Sequence, residues 1–231
     1  MKTRALLLSS SRVHGGGYLD HAEAEIKSHL ENVRRVLFVP FALQDRDAYA
    51  NTARVKFNAM GYEFDSIHRA GDPQLAVSEA QAVFVGGGNT FRLLKTLYEL
   101  DLLDLIRRRA ESGMPYMGAS AGSNIAGPTI RTTNDMPIVQ PPSFNALGLV
   151  PFQLNPHYLD PDPNSTHMGE TREQRLREYL EENTIPVVAI REPAMIHLEN
   201  GIVTLKGKAS ARIFKRGQEP YEVQSGSVIV F

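Results

Sequence analysis

Residues 82–89 of the chain read AVFVGGGN, an apolar run of four residues followed at once by a glycine turn. A strand that is apolar at every position suits the interior of a parallel sheet, where helices cover both faces. The turn leads into an amphipathic stretch, Thr90 to Leu97, in which leucines recur on one face. A buried strand, a glycine turn and a helix in this order predict one unit of a parallel α/β sheet.

The same alternation of apolar runs and amphipathic stretches continues on both sides of this unit. The predicted strands are Ala5–Leu8, Val36–Val39, Tyr62–Ile67, Ala82–Val85, Pro115–Met117, a short one near Pro151–Leu154, Val187–Ile190, Met195–Leu198, Ile202–Leu205, Ala211–Phe214 and Val228–Val230. The predicted helices are Tyr18–Leu30, Asp45–Met60, a short one near Pro73–Ala80, Thr90–Leu97, Leu102–Ala110 and Glu170–Asn183. The pattern predicts an α/β fold, a single domain over residues 1–231 with a central, mostly parallel sheet flanked by helices.

Composition excludes several classes of protein. The 231 residues contain 25 Lys and Arg against 26 Asp and Glu, far from the basic excess of a nucleic-acid binder. The absence of cysteine excludes disulfides, thiolate metal sites and a cysteine nucleophile. No apolar run approaches the length of a membrane span or of the apolar part of a signal peptide. We therefore expect a cytoplasmic monomer or homodimer that binds neither nucleic acid nor membrane.

Residues 118–122 read GASAG, the G-x-S-x-G motif, between a predicted strand and a short stretch able to begin a helix. In this context a sharp turn exposes the Ser120 hydroxyl at the carboxyl end of the sheet, and glycines at 118 and 122 avoid collisions between neighbouring backbones. The N–H of Ala121, at the start of the helix, and that of Gly88, in the other glycine turn, are suited to binding an oxyanion. The alternative interpretation of the motif is a tight turn needed only for packing.

A nucleotide-binding loop is a weaker interpretation of the glycine turn at 86–88. The pattern G-x-G-x-x-G requires glycine at position 91, where the chain has Phe91, and no Walker lysine follows. We therefore favour nucleophilic catalysis by Ser120, which requires a base to take the proton of its hydroxyl.

Histidine is the side chain best suited to act as that base near neutral pH. Of the seven histidines, His157 is favoured because it follows a short predicted strand and therefore reaches the carboxyl edge of the sheet; His167 is the second choice. Three carboxylates compete to orient the base: Asp135, Asp160 and Glu192. Glu192 ranks slightly higher because it too follows a predicted strand.

A metal site is disfavoured. His157, Asp160, Asp162 and His167 lie within eleven residues of each other, but their spacing matches none of the usual zinc patterns. We expect no metal and no cofactor.

Five segments together resemble a known family. They are residues 85–91 (VGGGNTF), 118–122 (GASAG), 128–139 (PTIRTTNDMPIV), 155–157 (NPH) and 169–175 (GETREQR). In these segments, and in length, the chain is similar to the peptidase E (α-aspartyl dipeptidase) family over nearly its whole extent. The threonine-rich segment and the segment around Arg172 are far more specific than G-x-S-x-G.

The resemblance implies a serine exopeptidase that needs no cofactor and hydrolyses dipeptides with an amino-terminal aspartate. It implies a fold similar to class I glutamine amidotransferases and distinct from α/β-hydrolases. The family's Ser-His-Glu triad falls on Ser120, His157 and Glu192, and its oxyanion donors fall on Gly88 and Ala121.

The resemblance also implies that Arg172 recognises the substrate aspartate. The chemistry suits this role, since a guanidinium can hold a carboxylate through two parallel hydrogen bonds. The alternative for Arg172 is a surface helix residue paired with Glu173 or Glu178. Asp135 and Glu170 are then candidates for binding the substrate ammonium group or for supporting the residues that contact the substrate. Two rival functions remain: a cyanophycinase-like or isoaspartyl peptidase that uses the same serine, and a non-catalytic ligand-binding module.

Overall fold

The computed structural model describes residues 3–164, 166 and 168–231, and within these residues the strands form two β-sheets. The strands are β1 Ala5–Leu8, β2 Arg35–Val39, β3 Glu63–Ser66, β4 Ala82–Val85, β5 Tyr116–Ala119, β6 Gln153–Pro156, β7 Val187–Ile190, β8 Met195–Glu199, β9 Ile202–Lys206, β10 Ala211–Phe214 and β11 Tyr221–Val223. The first sheet has the order β3-β2-β4-β5-β1-β8-β9, and the second has the order β11-β10-β7-β6.

The first sheet is parallel from β3 to β1, and β8 and β9 extend it as antiparallel strands. In the second sheet β6 and β7 are parallel, whereas β10 and β11 pair in antiparallel fashion. Because parallel strands need crossover connections, helices cover the faces of the first sheet.

The helices are α1 Glu23–Leu30, α2 Arg46–Ala59, α3 Pro73–Glu79, α4 Thr90–Glu99, α5 Leu103–Glu111, α6 Ala121–Asn124 and α7 Arg172–Glu182, with short 3-10 helices at Asp20–Ala22 and Ile67–Arg69. Side chains cap several of them: Asp72 accepts hydrogen bonds from the N–H groups of the first turn of α3, and Thr171 and Gln174 form a capping box on α7. None of the helices in the described residues is long and apolar enough to cross a membrane.

The core lies on both faces of the first sheet. Alternate residues of β1 point to opposite faces, so that Ala5 and Leu7 join one buried cluster while Leu6 and Leu8 join the other. A smaller cluster, containing Tyr158, packs α7 against the second sheet. The predicted α/β fold with a mostly parallel central sheet flanked by helices is confirmed.

Several predicted element boundaries are wrong. The helix predicted from Tyr18 does not begin there, because Leu19 has a left-handed φ of 60° that helical geometry does not allow. The residues predicted as the strand Val228–Val230 make only an isolated bridge between Val228 and Thr204, whereas the three-residue strand β11 was not predicted.

The expectation that the strands before His157 and Glu192 belong to the central sheet is also wrong. These strands, β6 and β7, pair with each other in the second sheet, and β6 covers residues 153–156 rather than 151–154. Sequence patterns show that a segment is apolar and extended, but the partner of a strand is chosen by non-local contacts.

Ser9, directly after β1, joins the two sheets. Its buried hydroxyl donates a hydrogen bond to the carbonyl oxygen of Ile190 (2.8 Å) and accepts one from the N–H of His157 (2.9 Å). Its own N–H donates to the carbonyl oxygen of Ala194. The carboxyl end of β1 therefore meets the carboxyl ends of β6 and β7, and loops from both sheets face each other.

Candidate active site

Ser120 lies at a sharp turn between β5 and α6. Its φ of 52° and ψ of −109° fall outside the usual α and β regions, and its N–H donates a hydrogen bond to the carbonyl oxygen of Leu8 (3.0 Å). A Cβ at Gly118 would lie 2.4 Å from the carbonyl oxygen of Gly122, and one at Gly122 would lie 2.1 Å from that of Val85. Only glycine fits both positions, so the two glycines permit the close packing that holds this turn.

Ser120, His157 and Glu192 form a continuous hydrogen-bonded series. The distance from Ser120 Oγ to His157 Nε2 is 2.7 Å, and His157 Nδ1 is hydrogen-bonded to Glu192 Oε1. A carboxylate can only accept, so Nδ1 carries the proton in this bond and the lone pair of Nε2 faces the serine hydroxyl. This is the arrangement in which a histidine can take the serine proton.

The two other carboxylates that sequence reasoning left open have different partners. Asp160 receives two hydrogen bonds from Arg191, of 2.6 and 2.7 Å, and these bonds lower the pKa of Asp160. Asp135 Oδ2 accepts from the N–H (2.7 Å) and the hydroxyl (2.6 Å) of Thr90, at the start of α4. Of the three, the structure brings Glu192 to His157.

His167, the second choice for the base, lies outside the described residues. Within the described residues, no group of three or more His, Asp and Glu side chains is arranged to hold a metal ion. Asp160 and Asp162, which lie near His157 in the sequence, therefore do not form such a group with it.

The glycine turn after β4 packs against Ser120. A Cβ at Gly87 would lie 3.0 Å from Ser120 Cβ, and the Gly87 N–H is already donated to Tyr49 Oη (2.7 Å). Gly88 has a φ of 131°, and a Cβ there would lie 2.7 Å from the carbonyl oxygen of Ala42, so this position also requires glycine. The N–H of Gly86 donates to the carbonyl oxygen of Val39 and that of Gly87 to Tyr49, whereas the N–H of Gly88 has no acceptor among the described residues.

Two N–H groups beside Ser120 are suited to binding an anion. Ala121 is the first residue of α6, where an N–H has no intrahelical acceptor. Neither this N–H nor that of Gly88 donates a hydrogen bond to a backbone acceptor within residues 3–164, 166 and 168–231. Both residues line cavities that contain Ser120.

A small polar cavity adjoins Ser120 on the side of α4 and is lined by Asn124, Thr133 and Asp135, among others. Arg172, the first residue of α7, is half-buried. Burial lowers the pKa of Arg172, as does the Arg175 guanidinium, whereas the Asp135 carboxylate raises it, so Arg172 and Asp135 lie within electrostatic reach of each other.

The pairing considered as an alternative for Arg172 does not occur. Glu173 pairs instead with Arg177 (2.9 Å) and Arg212 (3.2 Å), and Arg172 forms no ion pair with any residue that the structure describes. Glu170 is exposed and lies 3.3 Å from Arg175, and neither Glu170 nor Arg172 lines the cavities that contain Ser120. The structure therefore brings neither of these two predicted residues into the lining of those cavities.

Sequence reasoning missed two residues that contact or approach this site. Ser9 holds the backbone of His157, as described above, and its only signal in the sequence is a polar residue directly after a buried strand. His21, which precedes Ser120 by about a hundred residues in the sequence, lies within electrostatic reach of Glu192. Burial lowers the pKa of His21, and the Ser10 backbone and the Glu192 carboxylate oppose this shift.

Residues 5–206 match the model of peptidase family S51. The chain is 53% identical over 222 residues to a Streptomyces coelicolor protein named Peptidase E, covering 96% of this chain and 91% of that protein. It is 49% identical over 213 residues to a Drosophila melanogaster protein named "Probable alpha-aspartyl dipeptidase", covering 91% of this chain and 89% of that protein. The solved structure of a peptidase from an acI-B1 Actinobacterium has the same fold, with a TM-score of 0.75 at 19% identity over 99% of this chain and 97% of that one.

Proposed function

The chain belongs to peptidase family S51, and on this premise we propose that it is a serine exopeptidase that hydrolyses dipeptides with an amino-terminal aspartate. The observation that carries the proposal is the series of hydrogen bonds from Ser120 through His157 to Glu192. The similarity to a protein named as an α-aspartyl dipeptidase supports the choice of substrate.

In the proposed mechanism, Ser120 Oγ attacks the carbonyl carbon of the aspartyl residue while His157 Nε2 takes the hydroxyl proton. The negative oxygen of the tetrahedral intermediate is stabilised by the N–H groups of Gly88 and Ala121. The imidazolium gives its proton to the leaving nitrogen as the C–N bond breaks, and aspartate remains as an ester on Ser120. Water, deprotonated by His157, then hydrolyses the ester and restores the serine. Glu192 stabilises the imidazolium in both halves of the reaction.

The side of Ser120 that faces Asp135 is proposed to hold the aspartate of the substrate; the cavity there has a volume of about 20 Å³ and would have to widen when the aspartate binds. The guanidinium of Arg172, which forms no ion pair with a described residue, would bind the substrate carboxylate. The Asp135 carboxylate, which uses Oδ2 to bind Thr90, would offer its other oxygen to the substrate ammonium group. A cationic and an anionic group near one cavity suit a residue that itself carries both charges.

The direct test is the hydrolysis of Asp-Leu by the wild-type protein and by Ser120→Ala. We expect the variant to lose nearly all turnover and to keep the melting temperature of the wild type, because the change removes the nucleophile and leaves no charge unpaired. Ser112→Ala, at the exposed end of α5, is the matched control and should retain full activity. An active Ser120→Ala would contradict the assignment of the nucleophile.

The choice of substrate is tested with a panel of α-Asp-Leu, β-Asp-Leu and Ala-Leu. We expect cleavage of the α-linked peptide to dominate, and Arg172→Ala to lower kcat/KM for Asp-Leu while barely changing any slow cleavage of Ala-Leu. Preference for the β-linked peptide would indicate an isoaspartyl peptidase. If Arg172→Ala lowered kcat/KM equally for Asp-Leu and Ala-Leu, Arg172 would be a structural residue and not one that recognises aspartate.

A further inference from the structure

Ser120 lies between two cavities. The first is the small polar cavity that contains Asp135, and the second is a groove of about 560 Å³ with a different set of lining residues. We call the second one the Arg12 groove; its lining includes Arg12, Tyr18, Leu43, Asp45, Tyr49 and Gly88. Ser120 and His157 line both cavities, so a bond attacked by the serine would have one cavity on each side.

The proposed function decides which part of the substrate lies in which cavity, and the inference below rests on it. If aspartate occupies the cavity near Asp135 and Arg172, the residue released from it must lie in the Arg12 groove. In a dipeptide this released residue carries a free α-carboxylate. In a longer peptide, a neutral amide and further chain stand at the same place.

Arg12 is the one permanently cationic side chain among the described residues that line this groove. Its guanidinium lies over the ring of Tyr18, 5.6 Å from the ring centroid, and makes no ion pair with a described residue. Its backbone is held by Ser10, whose Oγ accepts from the N–H of Arg12 (3.1 Å) and donates to its carbonyl oxygen (2.5 Å). The charge is thus positioned by aromatic stacking and by a local turn.

The other polar groups of the groove do not neutralise this charge. Asp45, the only carboxylate among the described lining residues, caps α2 by accepting a hydrogen bond from the N–H of Ala48 (2.9 Å). Burial, followed by the nearby Tyr49 hydroxyl, raises the pKa of Tyr18, so the Tyr18 hydroxyl keeps its proton. A protonated phenol is a hydrogen-bond donor and can donate to an anion in the groove.

We infer that the Arg12 groove binds the released residue of the substrate and that the Arg12 guanidinium, assisted by the Tyr18 hydroxyl, binds its free α-carboxylate. Leu43 and the methyl group of Ala48 give the groove an apolar wall for the side chain of that residue. The contact makes the carboxyl terminus part of what is recognised, and it favours dipeptides over longer or amidated peptides.

The test compares Asp-Leu with Asp-Leu-amide, which differ only in the charge of the terminal group. For the wild type we expect kcat/KM to be about tenfold higher for Asp-Leu, the effect of one charge-assisted hydrogen bond at a partly exposed site. Arg12→Gln should lower kcat/KM for Asp-Leu about tenfold and leave that for the amide within about twofold. For Arg12→Lys, kcat/KM for Asp-Leu should lie between the values of the wild type and of Arg12→Gln. Tyr18→Phe should lower kcat/KM for Asp-Leu by less than Arg12→Gln does and leave that for the amide unchanged.

The control is Arg54→Gln, because Arg54 is an exposed residue of α2 outside the groove; this variant should leave kcat/KM unchanged for both substrates. If wild-type protein cleaves both peptides equally well, or if Arg12→Gln lowers both equally, the inference is overturned while the proposed function stands. Equal losses on both peptides in Arg12→Gln would indicate instead that Arg12 binds the aspartyl part of the substrate or stabilises the fold. If the wild type cleaves neither peptide, the proposed function fails, and this inference fails with it.

Discussion

Glu192 is the carboxylate that the structure brings to His157, and its proposed role depends on its being an acceptor of hydrogen bonds and nothing else. It holds the proton on Nδ1, so that Nε2 is free to receive the proton of Ser120. An amide at this position presents both an oxygen and an NH2 group, and the latter would donate to Nδ1 and move the ring proton to Nε2. The base would then face the serine in the wrong tautomer.

We predict that Glu192→Gln lowers kcat for Asp-Leu by about 10³ to 10⁴, as expected for a histidine held in the wrong tautomer. KM should change little, because Glu192 is not proposed to touch the substrate. Glu192→Asp should recover part of the activity, since a carboxylate is restored at a longer distance. Steady-state kinetics measure both effects. Glu181→Gln, on the exposed face of α7, is the control; comparable activity of Glu192→Gln and Glu181→Gln would exclude the proposed triad.

At the scale of elements, the candidate site depends on how two sheets are joined. β5 ends at Ser120 in the first sheet, whereas β6 and β7 end at His157 and Ile190 in the second. The hydroxyl of Ser9 bonds the backbone of both of the latter residues. The Ser9 side chain is therefore one of the contacts that hold together the elements carrying the proposed nucleophile and base; another is Asn124 Nδ2, which donates to the carbonyl oxygen of Leu154 (3.0 Å).

We predict that Ser9→Ala lowers the free energy of unfolding by about 1–3 kcal/mol, because a buried N–H loses its acceptor and the carbonyl oxygen of Ile190 loses one of its donors. Since the N–H belongs to His157, kcat should fall as well, while KM for Asp-Leu changes little. Urea unfolding and steady-state kinetics measure the two effects. Ser225→Ala is a surface control. Wild-type kcat in Ser9→Ala would mean that the backbone of His157 is held without this bond.

At the scale of the whole molecule, a buried histidine far from Ser120 in the sequence makes stability depend on pH. His29 Nε2 lies 3.1 Å from the carbonyl oxygen of Tyr116, and Nδ1 lies 3.3 Å from His197 Nε2. Burial, followed by the charges of His197 and Arg4, lowers the pKa of His29 to about 3. In the unfolded chain the same group has a pKa of about 6.5.

Because the folded pKa lies below the unfolded one, the unfolded chain binds the extra proton between these two values. The contribution of His29 to the free energy of unfolding is therefore fully present above pH 6.5 and falls as the pH falls towards 3. The total loss is on the order of 4–5 kcal/mol. We predict that His29→Gln is less stable than wild type at pH 7 but loses less stability between pH 6.5 and 4.

Urea unfolding at a series of pH values checks this prediction. Titrating carboxylates lower the stability of both proteins in the same range, so the difference between the two curves isolates His29. His14→Gln, an exposed histidine, is the control and should follow the wild-type curve. Parallel curves for wild type and His29→Gln would show that His29 is not buried in its neutral form.

The sequence by itself determined the features that depend on neighbours in the chain. Apolar runs of four residues located β1, β4 and β7, and GASAG located the strained turn at Ser120, because burial, helix periodicity and glycine requirements are local. Segments spread along the chain also carried the family resemblance, which selected Glu192 among the three carboxylates and assigned a role to Arg172, whereas Ser120 and His157 were already indicated by the motif and the strand ends.

Tertiary structure alone decided what depends on partners distant in the sequence. It paired β6 with β7 in a second sheet and placed Ser9 at the junction. It also brought Glu192 to His157, while Asp135 and Asp160 bind Thr90 and Arg191 instead. Three carboxylates of equal chemistry cannot be ranked by local sequence, because the pairing of a charge is set by which backbones meet in space. The same holds for the groove around Arg12, whose lining residues come from five separate segments of the chain.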